Sequence, residues 1–195
     1  MAATKPQVDL ILTAGTVLTL NEAQDVWQPG AVAVAGSHLV AVGPEAEILA
    51  TYDAPEVLTY PEDILLPGLI NAHTHAAMTC FRGLADDLPL EIWLQEHIFP
   101  AERHLSWDLV YWGTKLAIAE MLLSGTTTFC DMYLFADAVA AAAADCGVRA
   151  VVGEVLYDFP SPNYGPVEQG LDFTRQLLQT WQDHPLVRVA VQPHA

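Results

Sequence analysis

The sequence after about residue 63 alternates between two kinds of segment, and this alternation limits the possible folds more than any other feature. Short apolar runs rich in β-branched residues are typical of strands, whereas runs in which apolar residues recur every three or four positions are typical of helices. The predicted strands are ILLPGLINAHTH, which we expect to be buried, TTTFCDMY, VRAVVGEVLYD and VRVAVQPHA. The predicted helices are SWDLVYWGTKLAIAEMLLSG, FADAVAAAAADCG and PVEQGLDFTRQLLQTWQDHP. In the first of these, the recurring apolar residues are Leu109, Trp112, Leu116, Ala119 and Leu123. Four strands in alternation with helices predict a parallel α/β arrangement.

The predicted strands carry polar residues at their C-terminal ends. These residues are His73, His75, Asp131, Asp158 and His194. Active sites of (β/α)8 barrels are built at that end of the strands, and a complete barrel takes about 250 residues. Four strand–helix units amount to half of such a barrel. We therefore predict that residues 63–195 form the first half of a (β/α)8 barrel, and that the chain is a fragment or one half of a split protein.

Residues 1–62 follow a different pattern, with short strands separated by turns. The segments VDLILTAGTVLTL and AVAVAGSHLVAVG are rich in Val, Leu and Thr and are interrupted by glycines. Such segments are typical of β-strands. EAEILATYD predicts a short helix. This β-rich unit is too small to be expected to stand alone.

The charge balance and the apolar pattern exclude two classes of partner. Acidic residues outnumber basic ones by 24 to seven, which gives a formal net charge of −17. A surface that binds DNA or RNA needs clustered basic residues, and the sequence has no such cluster. No uninterrupted apolar run approaches the roughly 18 residues of a membrane-spanning helix. The N-terminal apolar stretch is interrupted too often for a secretory signal. We therefore expect neither a nucleic acid polymer nor a membrane as partner.

The cysteines indicate the redox environment. Cys80, Cys130 and Cys146 are odd in number and lack the CxxC spacing. This usage argues against a disulfide framework and for a reducing compartment. We expect a cytoplasmic protein in which Cys80 and Cys130 pack as small apolar side chains.

Two histidines one residue apart stand at the end of the first predicted barrel strand. Side chains at positions i and i+2 of a strand point to the same face, so His73 and His75 project together. Neutral imidazole is a ligand for Zn²⁺ and related metals, and a catalytic zinc needs at least three protein ligands. The residues alone leave open whether the pair binds a metal or arises by chance.

A longer stretch around this pair resembles a known family. PGLINAHTHAAMTCFRGLADDLPLEIWLQEHIFPAER is similar to the opening of the amidohydrolase superfamily. It most resembles the branch that contains the 5′-methylthioadenosine/S-adenosylhomocysteine deaminases and related chlorohydrolases. GTTTFCDMY, FPSPNYGP and VQPHA extend the similarity through the chain. The resemblance implies a (β/α)8 barrel beside a β-sandwich made from both chain ends, with residues 1–62 as the N-terminal part of that sandwich.

The resemblance also implies roles for particular residues. His73 and His75 match the first two ligands of one divalent metal ion, with Zn²⁺ expected first and iron or manganese as alternatives. Trp93 matches a residue that lines the substrate pocket. Glu102 matches an acid that binds the ribose, which suits a carboxylate because its two oxygens can accept from both vicinal hydroxyls. His194 matches a histidine that contacts the substrate near the reacting carbon.

Without the resemblance, the same residues have simpler interpretations. Trp93 would be a core residue, Glu102 a solvated acid and His194 a hydrogen-bonded histidine at a strand end. Three further histidines match no ligand position and are expected at the surface: His97, His104 and His184. Asp131 and Glu154 are either polar residues behind the site or interior polar groups of the barrel, and the sequence leaves this open.

For the complete protein we expect a hydrolytic deaminase of adenine nucleosides that acts on 5′-methylthioadenosine, S-adenosylhomocysteine and, as a further candidate, adenosine. A metal-bound hydroxide would attack C6 of the adenine ring, His194 would help to stabilise the developing charge, and ammonia would leave. The resemblance places the remaining metal ligands and the catalytic glutamate beyond residue 195. We expect the complete protein to form a homo-oligomer.

Two alternatives remain. One is a related chlorohydrolase or amidohydrolase acting on a triazine, guanine or another cyclic amidine, for which a ribose-binding Glu102 would have no use. Some members of the branch also use an arginine before the fourth strand, and residues 150–174 contain neither Arg nor Lys. The other alternative is a non-catalytic fragment that needs a C-terminal partner half.

Overall fold

The computed structural model describes residues 4–194. The chain divides into two compact units between Pro67 and Gly68. Each unit contains one five-stranded sheet. No helix within residues 4–194 is both long enough and apolar enough to cross a membrane.

The first unit is a mostly antiparallel sheet with one short helix. Its strands are β1 (Leu10–Leu18), β2 (Val26–Trp27), β3 (Gly30–Ala35), β4 (His38–Pro44) and β5 (Glu56–Leu65), and helix α1 spans Glu45–Thr51. The strand order is β2-β1-β3-β4, and β5 pairs in parallel with β1. Apolar side chains of β1, β3, α1 and the residues just before β1 form a core cluster: Val8, Ile11, Ala31, Ala33 and Ile48. The short helix predicted from EAEILATYD is therefore present as α1.

The second unit is a parallel sheet with helices between its strands. Its strands are β6 (Leu69–Thr74), β7 (Thr126–Tyr133), β8 (Arg149–Leu156), β9 (Val187–Val189) and β10 (Gln192–Pro193). The sheet runs β10-β8-β7-β6, and β9 also pairs with β8. The three predicted helices are present as α4 (Trp107–Leu123), α5 (Ala136–Cys146) and α6 (Val167–Trp181).

The connection from β6 to α4 is itself helical. A 3₁₀ helix spans Ala76–Phe81, and a second segment joins helix α2 (Leu90–Ile92), a π-helical turn (Trp93–Ile98) and helix α3 (Phe99–Glu102). Ser106 begins α4 as an N-cap, because its hydroxyl accepts a hydrogen bond from the Leu109 backbone N–H at 3.3 Å.

Two predicted strands differ from those in the structure. ILLPGLINAHTH is not one strand, because β5 ends at Leu65 and β6 begins at Leu69. Pro67 lies in the gap and has no backbone N–H for a sheet hydrogen bond. VRVAVQPHA is also two strands, β9 and β10, with an interruption where the Ala190 carbonyl lies against Gly153.

The prediction that the segment before the histidine pair is buried is wrong for β6. Most of its residues are exposed, because within residues 4–194 β6 lies at the edge of the parallel sheet and pairs with one strand, β7. The buried centre of this sheet lies in β7 and β8 instead, where Phe129 and Val152 are fully buried.

The buried face of α4 is not the one that carries its regularly spaced large apolar residues. Leu109, Trp112, Leu116 and Leu123 are exposed. The buried face carries Val110, Gly113, Thr114, Ala117 and Ile118. A Cβ at Gly113 would lie 2.7 Å from the Cys80 sulfur and 3.0 Å from the Ala77 carbonyl oxygen. The close packing of α4 on the 3₁₀ helix therefore requires glycine at this position.

Candidate active site

Four of the five residues singled out from the sequence line one cavity. His75, Trp93, Glu102 and His194 border a space of about 440 Å³ at the C-terminal end of the parallel sheet. His73 lines a neighbouring cavity of about 100 Å³, which it shares with His75. Residues from the end of β6, the helical connection and the end of β10 thus come together, although 121 positions separate His73 from His194 in the chain (194 − 73).

The two histidines of the pair are neighbours in space. Their ring centroids lie 5.3 Å apart and their ring planes meet at 74°. His73 is exposed and His75 is half-buried. His73 lies on β6 and His75 directly follows the last residue of that strand, Thr74, and the short distance between the two rings agrees with the predicted shared face.

A hydrogen bond determines which nitrogen of His75 is free. Its Nδ1 lies 2.5 Å from the backbone carbonyl oxygen of Met132. A carbonyl oxygen only accepts, so Nδ1 carries the proton and the lone pair is on Nε2. Metal-binding histidines typically donate their second ring N–H to a carbonyl or carboxylate in this way. The donor set of the pair therefore fits a divalent metal ion.

Residues 4–194 bring together no group of three or more His, Cys, Asp or Glu side chains suited to hold a metal ion. A catalytic zinc has at least three protein ligands. The described part of the chain thus supplies at most two ligands of such a site, His73 and His75.

Asp131 lies on β7 directly beside the residue that ends β6. It is paired in register with Thr74 and is only 1% exposed. Its Oδ1 accepts a hydrogen bond from the Ala76 backbone N–H at 2.6 Å, whereas Oδ2 has no partner within residues 4–194. Burial raises the pKa of Asp131 to about 7, and the hydrogen bond from Ala76 opposes this rise. The sequence left open whether Asp131 is a polar residue behind the site or an interior polar group of the barrel. The structure supports the first interpretation, because the Asp131 carboxylate holds the backbone directly after His75.

Glu102 ends α3 and is 6% exposed, so it is not a solvated acid. Burial raises the pKa of its carboxyl group, and the nearby Tyr133 hydroxyl opposes this shift. Trp93, at the start of the π-helical turn, is half-buried and lies on the same cavity rather than in the core. The helical connection therefore presents both an aromatic wall and a carboxylate to the cavity.

His194 follows β10 and is held by its backbone. Its N–H donates to the Leu156 carbonyl oxygen at 2.9 Å. The ring is exposed and meets Tyr157 edge to face, with centroids 5.7 Å apart. The backbone bond and the aromatic contact both orient this imidazole at the rim of the cavity.

Glu154 is a buried carboxylate that joins two loops through hydrogen bonds. It is fully buried, and its Oε2 accepts from the Ala136 backbone N–H at 2.8 Å while Oε1 accepts from the Asn163 side-chain amide at 2.9 Å. Burial raises the pKa of Glu154 to about 7, and both hydrogen bonds oppose the rise. The carboxylate ties the loop after β7 to the loop after β8.

The remaining histidines and cysteines only partly match the expectations. His104 is exposed, as expected, whereas His97 is half-buried. His184 is half-buried too, and its Nδ1 accepts from two backbone N–H groups, so it stabilises the start of β9 rather than lying free at the surface. Cys130 is half-buried. Cys80 is exposed, and the prediction that it packs as a small apolar side chain is wrong for this residue.

Sequence reasoning missed the aromatic walls of the cavity. Tyr157 and Phe159 stack with centroids 4.4 Å apart, and Phe99 lies 6.0 Å from Phe159. Tyr133 ends β7 and lines the same cavity. The signal was available, because Tyr133 and Tyr157 stand at the same strand ends that drew attention to the polar residues.

Known proteins resemble this chain in sequence. Residues 64–195 match the model of the amidohydrolase family, and the chain belongs to that family. It is 60% identical to a 5-methylthioadenosine/S-adenosylhomocysteine deaminase of Syntrophobacter fumaroxidans over 189 residues, which are 97% of this chain and 43% of the relative. The chain thus spans less than half the length of this relative.

Solved structures show the same architecture. A zinc-bound adenosine deaminase from Xanthomonas campestris superposes with a TM-score of 0.95 at 41% identity, over 98% of this chain and 44% of that one. A zinc-bound atrazine chlorohydrolase from Arthrobacter aurescens superposes with a TM-score of 0.81 at 20% identity, over 94% of this chain and 46% of that one. The predicted fold class, the first half of an α/β barrel with part of a β-sandwich, is confirmed.

Proposed function

We propose that the complete protein is a metal-dependent hydrolytic deaminase of adenine nucleosides, with 5′-methylthioadenosine, S-adenosylhomocysteine and adenosine as substrates. The observation that carries the proposal is the meeting of His75, Trp93, Glu102 and His194 on one cavity. The 60% identical relative named for deamination of the first two nucleosides supports it.

His73 and His75 would hold one divalent metal ion, zinc first, with iron and manganese as alternatives. Such an ion supplies Lewis-acid activation of water for hydrolysis near neutral pH. The free Nε2 of His75 supports this assignment. The other ligands would come from the C-terminal part of the barrel.

The remaining residues of this chain bind and orient the nucleoside. The Glu102 carboxylate would accept hydrogen bonds from the 2′- and 3′-hydroxyls of the ribose, and its burial excludes competing water. Trp93 and Tyr157 provide apolar surface for the base and sugar. His194, at the rim, would hydrogen-bond to the substrate near C6 and help to stabilise charge there as ammonia leaves.

A triazine, guanine or other cyclic amidine is the alternative substrate class. The burial of Glu102 beside this cavity favours a nucleoside, because those rings carry no vicinal hydroxyls for a carboxylate to bind. The chlorohydrolase similarity, at 20% identity, extends to the fold alone.

We further propose that this chain is catalytically inactive until a C-terminal segment completes the barrel. Residues 1–62 would then belong to a β-sandwich completed by the same segment, and residues 63–195 to the first half of the barrel. Two observations on the described residues support this view. They bring together no group of three or more candidate metal ligands, and the edge strand β6 is mostly exposed. We propose that the complete protein works in the cytoplasm, which the free cysteines support, and that it forms a homo-oligomer. The net charge of −17 opposes binding to nucleic acid polymers.

The test follows adenine absorbance with the complete, metal-loaded protein and each of the three nucleosides. We expect turnover that a chelator abolishes and that added metal restores. If protein shown to contain metal turns over none of the three nucleosides, the proposal is wrong, and guanine and triazines become the next substrates to test.

A further inference from the structure

A second cavity adjoins the one that contains the candidate catalytic residues. It has a volume of about 530 Å³. The two cavities share four lining residues: Phe99, Glu102, Tyr157 and Phe159. Glu102 therefore stands between a side that contains His75 and His194 and a side that contains neither.

Among residues 4–194, Arg103 is the one Lys or Arg side chain that borders either cavity, and it lies in the second. Within residues 4–194, Arg103 forms no ion pair, although the chain has only seven basic residues and a net charge of −17. It follows Glu102 directly, and its backbone N–H donates to the Phe99 carbonyl oxygen at 3.3 Å, which fixes it at the end of α3.

The rest of this cavity is suited to an apolar chain with a polar end. Phe99, Phe159, Pro160 and Pro162 give it apolar walls, and Gln95 and Ser161 add hydrogen-bonding groups. Thioether sulfur packs favourably against aromatic rings. A guanidinium binds a carboxylate through two parallel hydrogen bonds, which makes arginine specific for that group.

We propose that this second cavity is the subsite for the 5′-substituent of the nucleoside, and that Arg103 pairs with a carboxylate at the end of that substituent. This inference rests on the proposed function, which places the base beside the histidines and the ribose at Glu102. A 5′-substituent then extends past Glu102 into the second cavity. The site selects adenine nucleosides with a long, carboxylate-bearing 5′-thioether over those with a short, neutral one.

The test compares Arg103→Ala, Arg103→Lys and the unaltered complete protein on two substrates. These are S-adenosylhomocysteine and its decarboxylated analogue, which retains the thioether and the amine and lacks only the carboxylate. The measured quantity is the ratio of kcat/KM for the two substrates. We expect Arg103→Ala to lower this ratio about 10- to 100-fold, the range of a lost charge-assisted hydrogen-bond pair. Arg103→Lys should retain part of the preference, because it keeps the charge but not the bidentate geometry.

Arg149→Ala is the matched control. Arg149 is also an exposed arginine, but it begins β8 and lies at the opposite end of that strand from the cavity. We expect this variant to keep the ratio of the unaltered protein. If Arg103→Ala and Arg149→Ala give the same ratio, the pairing with Arg103 is wrong. If adenosine 5′-monophosphate is a better substrate than S-adenosylhomocysteine, the inferred length of the substituent is wrong.

Failure of this inference is distinguishable from failure of the proposed function. Chelator-sensitive turnover of 5′-methylthioadenosine with an unchanged ratio in Arg103→Ala overturns the subsite alone. Absence of turnover of every adenine nucleoside by metal-loaded protein overturns both.

Discussion

The backbone N–H of Ala76 donates a hydrogen bond to the buried Asp131 carboxylate at 2.6 Å, one residue beyond His75. This bond joins β7 to the turn that leaves β6. Asp131 is not itself a proposed metal ligand, but this bond lets it hold the backbone next to His75, which is one.

Replacement of Asp131 by Ala should therefore destabilise the protein. The Ala76 N–H would be left buried without a partner, which costs about 1 to 3 kcal/mol in the free energy of unfolding. Urea unfolding of the complete protein measures this change. Asp158→Ala, at an exposed aspartate, should change the free energy by less than about 0.5 kcal/mol. Equal stability of the two variants would contradict the structural role of Asp131.

Loss of either histidine of the pair should weaken metal binding. Removal of a residue that hydrogen-bonds to a metal-binding histidine lowers metal affinity by about 10- to 100-fold. Removal of the histidine ligand itself should lower it at least as much. We expect His73→Ala and His75→Ala each to lower the metal content of the complete protein after dialysis, measured by elemental analysis. His104→Ala, at an exposed histidine, should retain the full content. Retention of metal by both pair variants would rule out their role as ligands.

Glu102→Gln should raise KM for nucleosides. The neutral amide keeps the shape of the side chain but loses charge-assisted acceptance from the ribose, and we expect an increase of about 10- to 100-fold. Steady-state kinetics with 5′-methylthioadenosine measures it. Glu96→Gln, at an exposed glutamate in the same helical connection, serves as the control and should leave KM unchanged. An unchanged KM in Glu102→Gln would exclude the ribose role.

The buried Glu154 carboxyl group should make the free energy of unfolding depend on pH. Its pKa in the folded protein is raised from 4.5 to about 7, so the folded state binds the proton more tightly than the unfolded state does. The resulting stabilisation is fully present below about pH 4.5 and is lost as the pH rises through about 7. It amounts to about 3 kcal/mol over that interval.

Glu154→Gln lacks this titration and isolates its effect. The variant also loses one of two accepted hydrogen bonds, which lowers its stability at every pH. We therefore expect the free energy of unfolding of the unaltered protein, minus that of the variant, to decrease between pH 4.5 and pH 7. Urea titrations at several pH values measure this difference. A difference independent of pH would show that Glu154 does not titrate in this range.

Much of the barrel half could be predicted from the residues themselves. The strand of TTTFCDMY and the helices α4, α5 and α6 follow from local periodicity and from their closing residues, which act within a few positions of the chain. The prediction that His73 and His75 project together follows in the same way, because spacing on a strand determines a shared face.

Other features depended on contacts between distant parts of the chain. Local periodicity predicted the helix α4 but not its buried face, where Gly113 packs closely against the 3₁₀ helix. The break between β5 and β6 at Pro67 separates two compact units, and an apolar run of residues does not reveal to which sheet each half belongs.

The sequence by itself determined the kinds of element, the histidine pair and, through resemblance, the family of the protein. Only the tertiary structure decided that Glu102 is buried, that Asp131 holds the turn after His75, and that a second cavity with Arg103 lies beyond Glu102. The physical reason is that burial and hydrogen bonding are properties of neighbours in space. Such neighbours are far apart in the chain, as with the hydrogen-bonded His75 and Met132, which are 57 positions apart and so beyond the reach of any local pattern.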